Sequence, residues 1–279
     1  MRLLVTGAGG MLGRDVVGAA QDAGMDVRAL THADLDIADG EAVDAVIRAA
    51  GPDVAVNCAA WTDVDGAEEA FEDAVAVNGT GAGNLARAAT AAGAWMVHIS
   101  SDYVFDGTKR RPYVETDRPE PLSAYGRSKL AGEIEVVREA AGSHTVLRSS
   151  WLFGVHGRCF PSTILRLAAE RDELAVVDDQ VGCPTFTGHL AEAIIQLASG
   201  TPPLGIVHTS ASGSCSWYEL ATRLVELGGI RCELKRARTA DMKRPAARPA
   251  YSVLGSERDD APTLADWHQG VEEFMAVRV

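Results

Sequence analysis

Tyr125 and Lys129 are four residues apart in a stretch with helical spacing, so their side chains share one face of a helix. A tyrosine has a pKa of about 10, and an adjacent ammonium group lowers that pKa towards the range useful for proton transfer. Ser101 follows the apolar run 95–99, at a strand end where its hydroxyl could orient a substrate carbonyl. These side chains predict a centre that moves a proton beside a carbonyl group, with an ordinary surface Tyr–Lys pair as the alternative.

A glycine-rich turn near the N-terminus predicts a second kind of site. It follows the apolar run 3–5 and precedes a helical pattern, the context that a dinucleotide-binding turn requires. Its glycines would allow a tight turn, close approach of the backbone to a diphosphate, and close helix–strand packing. The N–H groups at the start of the following helix would face that diphosphate. The residues assigned to this site are Gly7, Gly10, Met11, Leu12 and Gly13.

The end of the second predicted strand bears on which nicotinamide cofactor would bind. Sites that prefer NAD place an Asp or Glu there, which binds the ribose 2′-hydroxyl and repels a 2′-phosphate. In this chain Leu30 is followed by Thr31 and His32, and carboxylates appear only at Asp34 and Asp36. The sequence therefore favours NADPH and leaves NADH open.

Short apolar runs alternate with helical patterns over the first half of the chain, which predicts right-handed βαβ units and a parallel sheet. The runs at 53–57 and 95–99 are almost continuously apolar, as is typical of strands buried on both faces. The predicted strands lie near 2–6, 26–30, 53–57, 94–99 and 144–149, and the predicted helices near 11–23, 40–50, 67–91 and 124–141. The fold class is α/β: a Rossmann-type doubly wound parallel sheet with a smaller C-terminal substrate-binding lobe.

Beyond residue 150 the alternation is weaker. Helices are predicted near 160–171, 187–199, 216–228 and 263–276, and strands near 174–177 and 205–209. The segment 235–262 is rich in Arg, Pro and Ala and is predicted to be a loop region on the substrate side. We expect residues 1–150 to form the dinucleotide-binding domain, elements from about 175–230 to return to it, and residues 151–279 to form mainly the substrate-binding lobe.

Composition excludes several classes of protein. A formal net charge of −13 argues against nucleic acid, because affinity for nucleic acid comes from cations that neutralise phosphates. The five cysteines are scattered without a Cys-x-x-Cys pair, as in a reducing compartment. The N-terminal apolar run is too short for a secretory signal, and no apolar run approaches the length of a membrane span. We expect a cytoplasmic protein with no nucleic-acid or membrane partner.

The chain resembles the extended short-chain dehydrogenase/reductases and, within them, the dTDP-4-dehydrorhamnose reductase family. Besides the glycine turn, the resemblance rests on several stretches spread over nearly the whole chain. These are 57–65, 77–78, 101–107, 115–117, 125–133, 148–151, 179–185, 216–218 and 248–254. The Ser-Asp-Tyr-Val-Phe-Asp-Gly and Asp-Gln-x-Gly-x-Pro-Thr stretches are specific to this family, whereas the glycine turn is shared with thousands of enzymes.

The resemblance implies roles for individual residues. Tyr125 would protonate the C4 oxygen of a sugar as hydride arrives from the nicotinamide, and Lys129 would tune Tyr125 and hold the cofactor ribose. Ser101 stands where the family usually has threonine, so the hydroxyl is kept. Asp102 and Trp151 would contact the deoxysugar nucleotide. Further cofactor contacts implied are Asp36 and Ile37 near the adenine, and Cys58, Ala59, Ala60 and Thr62 along the cofactor.

One departure from related enzymes separates two reactions. Nucleotide-sugar 4,6-dehydratases carry an Asp-Glu pair after the strand-end hydroxyl, whereas here Ser101 is followed by Asp102 and Tyr103. Reduction of a dTDP-4-keto-6-deoxyhexose is therefore favoured over elimination, with dTDP-4-dehydro-L-rhamnose as the substrate and dTDP-L-rhamnose as the product. Two alternatives stay open: reduction of another such ketosugar in secondary metabolism, as in the dihydrostreptose branch, and a non-catalytic regulatory subunit resembling that of methionine adenosyltransferase.

A basic segment lies late in this acidic chain. Six Lys and Arg residues fall within 235–248, interrupted by the single acid Asp241. Because guanidinium groups bind phosphate oxygens in pairs, we expect Arg248 to line the nucleotide end of the substrate, and a solvated loop is the alternative for the other five.

Two tryptophans, together with Asp63 and Asp65, receive no role in chemistry at this stage. Trp217 and Trp267 are interpreted as core or interface aromatics. No group of residues has the spacing of a metal site, so no metal is predicted, and a homodimer is left open.

Overall fold

A computed structural model describes residues 1–278. Its strands are β1 (Arg2–Thr6), β2 (Asp26–Leu30), β3 (Val54–Asn57), β4 (Trp95–Ser101), β5 (His144–Ser149), β6 (Leu152–Phe153), β7 (Glu173–Val177), β8 (Val181–Gly182), β9 (Thr185–Phe186), β10 (Gly205–His208), β11 (Cys215–Ser216) and β12 (Glu233–Ala237). Its α-helices are α1 (Met11–Asp22), α2 (Gly40–Ala50), α3 (Phe71–Val75), α4 (Ala82–Ala91), α5 (Ala124–Glu139), α6 (Phe160–Glu170), α7 (Thr187–Ser199), α8 (Trp217–Leu227) and α9 (Trp267–Val277).

Six strands form one parallel sheet in the order β10-β5-β4-β3-β1-β2. Strands β3 and β5 are buried along their whole length, because helices cover both faces of the sheet. The chain moves from β1 outwards to β2 and then returns past β1 to β3. This reversal creates a crevice at the carboxyl ends of β1 and β3, where ligands bind in such sheets. The predicted α/β doubly wound fold is confirmed.

Two apolar cores fill the space between the sheet and its helices. One core joins Val16 of α1 and Ile194 of α7 to one face, and the other joins Ile47 of α2, Leu85 of α4 and Val136 of α5 to the opposite face. Within the region 175–230, α7 and β10 pack with the main sheet. Strand β7 and helix α8 instead contribute to a separate core that also contains α6.

Three element predictions are corrected by the structure. The long helix predicted over 67–91 is divided into a 3-10 turn at Gly66–Glu68, α3, a π-helical turn at Ala76–Gly81 and α4. The π turn surrounds Asn78, whose buried side chain bonds to the backbone of Trp61. The region 235–262 is not entirely loop, because β12 pairs in parallel with β7. The last helix begins at Trp267, after the N-cap Asp266, rather than near 263.

None of the helices within residues 1–278 is both long enough and apolar enough to cross a membrane. The five cysteines, all of which lie in that range, are free thiols.

Candidate active site

A cleft of about 910 Å³ opens at the carboxyl ends of the main-sheet strands. It brings together most of the residues predicted from sequence for the cofactor, the reaction and the substrate. Those lining it are Gly7, Gly10, Met11, Leu12, Gly13, His32, Asp36, Ile37, Cys58, Ala59, Ala60, Thr62, Ser101, Asp102, Tyr125, Lys129 and Trp151. Thr31 and Arg248 are not among the lining residues.

The glycine turn is a close contact between backbone segments. Gly7 has a φ of 69°, and a Cβ there would lie 2.4 Å from the backbone nitrogen of Ala59. A Cβ on Gly13 would lie 2.2 Å from the carbonyl oxygen of Gly7. Helix α1 begins after Gly10 with no side-chain cap and no acid in its first turn. Its first N–H groups therefore face the cleft as an anion site formed by the backbone.

Two buried asparagines hold the loop that follows β3. Asn57 accepts hydrogen bonds from the Thr6 hydroxyl at 2.8 Å and from the Ala59 N–H at 3.0 Å. Asn78 accepts from the Trp61 N–H at 2.9 Å and donates to the Trp61 carbonyl at 3.1 Å. Together these bonds fix residues 58–62 along one wall of the cleft. Both asparagines lie in stretches that the family resemblance includes, and their burial is what identifies this positioning role.

Strand β2 is followed by Thr31 and His32, and the first carboxylate after it, Asp34, is held in a local turn. Asp34 accepts hydrogen bonds from the backbone N–H of Thr31 at 2.9 Å and from its hydroxyl at 2.6 Å. This places Thr31 in a local turn and lowers the pKa of the Asp34 carboxyl, chiefly through the Thr31 hydroxyl. His32 and Asp36 line the cleft instead, and the Asp36 carboxylate accepts from the Ala38 N–H at 3.0 Å.

Tyr125 lies in the first turn of α5, and the side chain of Ser123 caps that helix. Burial is the main cause that raises the pKa of Tyr125 above its usual value, and a hydrogen bond with Ser101 opposes the rise. The ring also contacts Tyr103 edge to face, with 5.6 Å between centroids. The phenol is therefore neutral at ordinary pH and carries a proton that it can donate.

Lys129 is buried and its ammonium donates to the carbonyl oxygen of Ile99 at 2.7 Å. Burial lowers the pKa of Lys129 to about 8, and the nearby carboxylate of Glu133 opposes that shift. Lys129 is not among the groups that shift the pKa of Tyr125 in this structure. Its predicted lowering of that pKa stays a prediction.

Glu133 lies one turn beyond Lys129 and belongs to a buried polar network. It accepts two hydrogen bonds from Arg148 of β5, at 2.8 and 2.6 Å, and one from the Ser100 hydroxyl at 2.5 Å. Both charged side chains are almost fully buried. The network joins α5 to β4 and β5, so it fixes the helix that carries Tyr125 relative to the strand that carries Ser101.

Asp102 follows Ser101 and is 1% exposed. Its Oδ1 accepts from the Ser101 hydroxyl at 3.1 Å, whereas its Oδ2 has no hydrogen-bond partner within residues 1–278. Burial raises the pKa of Asp102 to about 7, and the hydrogen bond from the Ser101 hydroxyl opposes this rise. Asp102 belongs to the cleft lining, and its buried, unpartnered Oδ2 is suited to a polar group of a bound sugar.

The two indole rings of Trp151 and Trp217 are stacked in the cleft, with 3.4 Å between centroids and an interplanar angle of 2°. Trp151 has a φ of 47°, which turns its ring under Gly182, where a Cβ would lie 2.4 Å from the indole. Trp217 donates from its ring nitrogen to the Gln180 side chain at 3.1 Å. Trp217 packs against the apolar cores of the C-terminal part, as expected of a core aromatic, and it also lines the same cleft as Trp151.

Arg248 binds Asp65 through both terminal nitrogens, at 3.0 and 2.8 Å, and donates to the Ala246 carbonyl at 2.9 Å. This guanidinium lies close to the cleft residue Tyr103. Burial raises the pKa of Tyr103 to about 12, and the positive charge of Arg248 opposes that rise. Elsewhere in the basic segment, Lys235 pairs with Glu173 and Arg236 with Asp178. Much of the segment's charge is thus used in ion pairs that sequence spacing alone did not reveal.

Among residues 1–278, no group of three or more His, Cys, Asp or Glu side chains is arranged to hold a metal ion.

The fold and the cleft together define an extended short-chain dehydrogenase/reductase. The features that define it are the doubly wound parallel sheet, the glycine turn at the start of α1, and a Tyr-x-x-x-Lys pair that shares one cleft with a strand-end serine.

Residues 1–278 match the family described as the RmlD substrate binding domain, and the chain belongs to that family. A dTDP-4-dehydrorhamnose reductase of Mycolicibacterium smegmatis is 42% identical over 284 residues, covering 100% of this chain and 86% of the relative. A dTDP-4-keto-6-deoxy-D-glucose reductase of Streptomyces niveus is 42% identical over 92% of this chain and 89% of its own length. The structure of a Bacillus anthracis dTDP-4-dehydrorhamnose reductase in complex with NADP has a TM-score of 0.95 at 35% identity, covering 99% and 98% of the two chains. The resemblance seen in the sequence is confirmed.

Proposed function

We propose that this protein is an NADPH-dependent reductase that converts the C4 ketone of dTDP-4-dehydro-L-rhamnose to the alcohol of dTDP-L-rhamnose. One observation carries the proposal: a single cleft joins the glycine turn at the start of α1, the Tyr125 phenol and the aromatic ring of Trp151. The named activities of the relatives and the NADP bound to the Bacillus anthracis protein support both the substrate and the cofactor.

The residues present fit a dinucleotide cofactor. A Cβ at Gly7 or Gly13 would strike neighbouring backbone, so these glycines keep the turn tight. Gly9 and Gly10 present main chain to the cleft, as a site for a diphosphate requires. The N–H groups of Met11 and Leu12 would bind the diphosphate, His32 and Asp36 the adenosine, and residues 58–62 the remainder. When bound, NADPH supplies the hydride.

The chain's own groups handle the proton. The Tyr125 hydroxyl donates its proton to the C4 oxygen of the sugar, and the Ser101 hydroxyl donates a hydrogen bond to the same oxygen. Because burial raises the pKa of Tyr125, the proton is present on the phenol before reaction. Lys129 binds cofactor hydroxyls and supports the phenolate that forms once the proton has left.

The substrate end of the cleft has an acid and two aromatic rings. Asp102 would accept a hydrogen bond from a hydroxyl group of the deoxysugar. The Trp151–Trp217 pair would pack against the nucleotide or the sugar ring. Arg248 would contact the nucleotide end alongside Tyr103. We further propose that residues 1–150 hold the cofactor, that residues 151–279 mainly bind the substrate, and that the enzyme acts in the cytoplasm, with its five thiols reduced. A homodimer is compatible with this division.

The test is NADPH oxidation, followed at 340 nm, with enzymatically generated dTDP-4-dehydro-L-rhamnose and identification of the product sugar. The Tyr125→Phe variant should lose about two to four decades of rate, because it removes the proton donor. Tyr113→Phe is a matched control, since Tyr113 is buried and bonds Asp106 outside the cleft. A Tyr125→Phe enzyme that stays fast would remove Tyr125 as the acid.

A different ketosugar is the second candidate, and the Streptomyces niveus relative favours it. Parallel assays with dTDP-4-keto-6-deoxy-D-glucose and dTDP-4-dehydro-L-rhamnose compare kcat/KM directly. A preference of tenfold or more for the first sugar would replace the proposed substrate. Tight NADPH binding without turnover of any dTDP-4-ketosugar would favour the regulatory-subunit interpretation.

A further inference from the structure

The proposed function requires the cleft to hold a diphosphate, yet the cleft has few cations. Lys129 and Arg158 are the Lys and Arg side chains among its lining residues. The Lys129 ammonium is buried against a backbone carbonyl. Arg248 is bound to Asp65 and does not line the cleft. Arg158 is therefore a guanidinium of the cleft lining whose side chain forms no hydrogen bond within residues 1–278.

The 154–158 loop that carries Arg158 is packed against the start of α1. A Cβ on Gly154 would lie 2.0 Å from the Thr187 hydroxyl and 3.2 Å from the Met11 side chain. A Cβ on Gly157 would lie 3.6 Å from the Met11 Cβ. Met11 is the first residue of α1, whose N–H groups form the anion site. Gly154 and Gly157 thus bring the backbone that precedes Arg158 within contact distance of Met11.

Contacts on both sides hold this loop in place. The Cys159 thiol donates to the Gly154 carbonyl at 3.6 Å, and Cys159 with Ser162 forms the capping box of α6. On the other side, the His156 ring nitrogen lies 3.4 Å from a carboxylate oxygen of Asp15 in α1. The Arg158 side chain is exposed and has no ion pair within residues 1–278. The backbone position is fixed while the guanidinium is available to a ligand.

We propose that Arg158 binds the diphosphate of the dinucleotide cofactor, opposite the N–H groups of α1; this rests on the proposed function. A guanidinium can bind two oxygens of a diphosphate in parallel, while the helix N–H groups bind others. The 154–158 loop therefore closes the cofactor site from the side of the C-terminal lobe.

The experiment measures the dissociation constants of NADP⁺ and NAD⁺ by isothermal titration calorimetry, without substrate. Arg158→Ala should weaken both cofactors by a similar factor of tenfold or more, because the diphosphate is common to the two. Arg158→Lys should recover part of the affinity by keeping the charge. Arg231→Ala removes one exposed guanidinium outside the cleft lining and should stay within twofold of the parent.

Three results would overturn the proposal. Unchanged affinities in Arg158→Ala would remove Arg158 from the site, and a loss confined to NADP⁺ would move it to the 2′-phosphate. An unchanged cofactor affinity with a raised KM for the nucleotide sugar would assign Arg158 to the diphosphate of the substrate. The titration needs no turnover, so its result is independent of the proposed function. If cofactor binding depends on Arg158 but the protein reduces no ketosugar, the proposed function is overturned and the role of Arg158 remains.

Discussion

Replacement of Asp102 by Asn should abolish a decrease in the free energy of unfolding that the parent protein shows as the pH rises. Asp102 lies at the end of β4, buried beside Ser101, and burial raises the pKa of its carboxyl from 3.8 to about 7. In the window between these values the folded protein binds the proton more tightly than the unfolded chain does. The free energy of unfolding therefore falls as pH rises through that window.

The size of this effect follows from the pKa difference. Each unit corresponds to about 1.4 kcal/mol, so the shift lowers the free energy of unfolding by roughly 4 kcal/mol once the pH exceeds the folded pKa. The cost is fully present near pH 8 and disappears below about pH 4. An amide cannot ionise, so Asp102→Asn should be more stable than the parent at pH 8, with the advantage shrinking as the pH is lowered.

Urea unfolding of both proteins at pH 5, 6, 7 and 8 measures the difference in free energy of unfolding. Asp65→Asn is the control, because the pKa of the Asp65 carboxyl is lowered and not raised. The main cause is the hydrogen bond between Asp65 and Arg248. That carboxyl is ionised throughout this pH range, so its difference from the parent should be constant between pH 5 and 8. A constant difference for Asp102→Asn as well would refute the assignment of Asp102 as a buried, high-pKa acid.

Three further predictions concern ligand binding. Gly13→Ala should weaken NADP⁺ binding tenfold or more, since its Cβ would lie 2.2 Å from the carbonyl oxygen of Gly7, whereas Gly18→Ala on the same helix meets nothing within 4 Å and should bind normally in the same titration. Trp217→Ala should raise the KM for the nucleotide sugar roughly three- to tenfold through lost stacking, and an equal rise in the KM for NADPH would contradict this. Arg248→Ala should raise the KM for the nucleotide sugar about tenfold, on the order of 1.4 kcal/mol, and a lower melting temperature with unchanged KM would leave its guanidinium only structural.

The parts of the site that the sequence predicted correctly are those in which local spacing forces the geometry. Gly7 and Gly13 are required wherever backbone segments approach within a Cβ radius, and the structure shows such approaches at both. Tyr125 and Lys129 share a helix face by period alone. Ser101 follows a buried parallel strand, so its place at the edge of the sheet was determined as soon as β4 was recognised.

The contacts that the sequence did not reveal depend on partners far away in the chain. Nothing near Trp217 indicates that it stacks on Trp151, 66 positions earlier, because that contact exists only once α8 and the loop after β5 have packed together. The ion pair between Arg248 and Asp65 likewise joins residues that are 183 positions apart. Three of the six basic side chains of the 235–248 segment are therefore held in ion pairs that the sequence does not show.

The sequence by itself determined the sheet, the glycine turn, the Tyr–Lys pair and the family, because each depends on a short period or a short motif. Only the tertiary structure decided which groups in the cleft remain free to bind a ligand. Burial and pairing depend on all neighbours at once: they leave Lys129 occupied, raise the pKa of Asp102 and hold Arg248 with Asp65. The same packing leaves the guanidinium of Arg158 exposed beside α1.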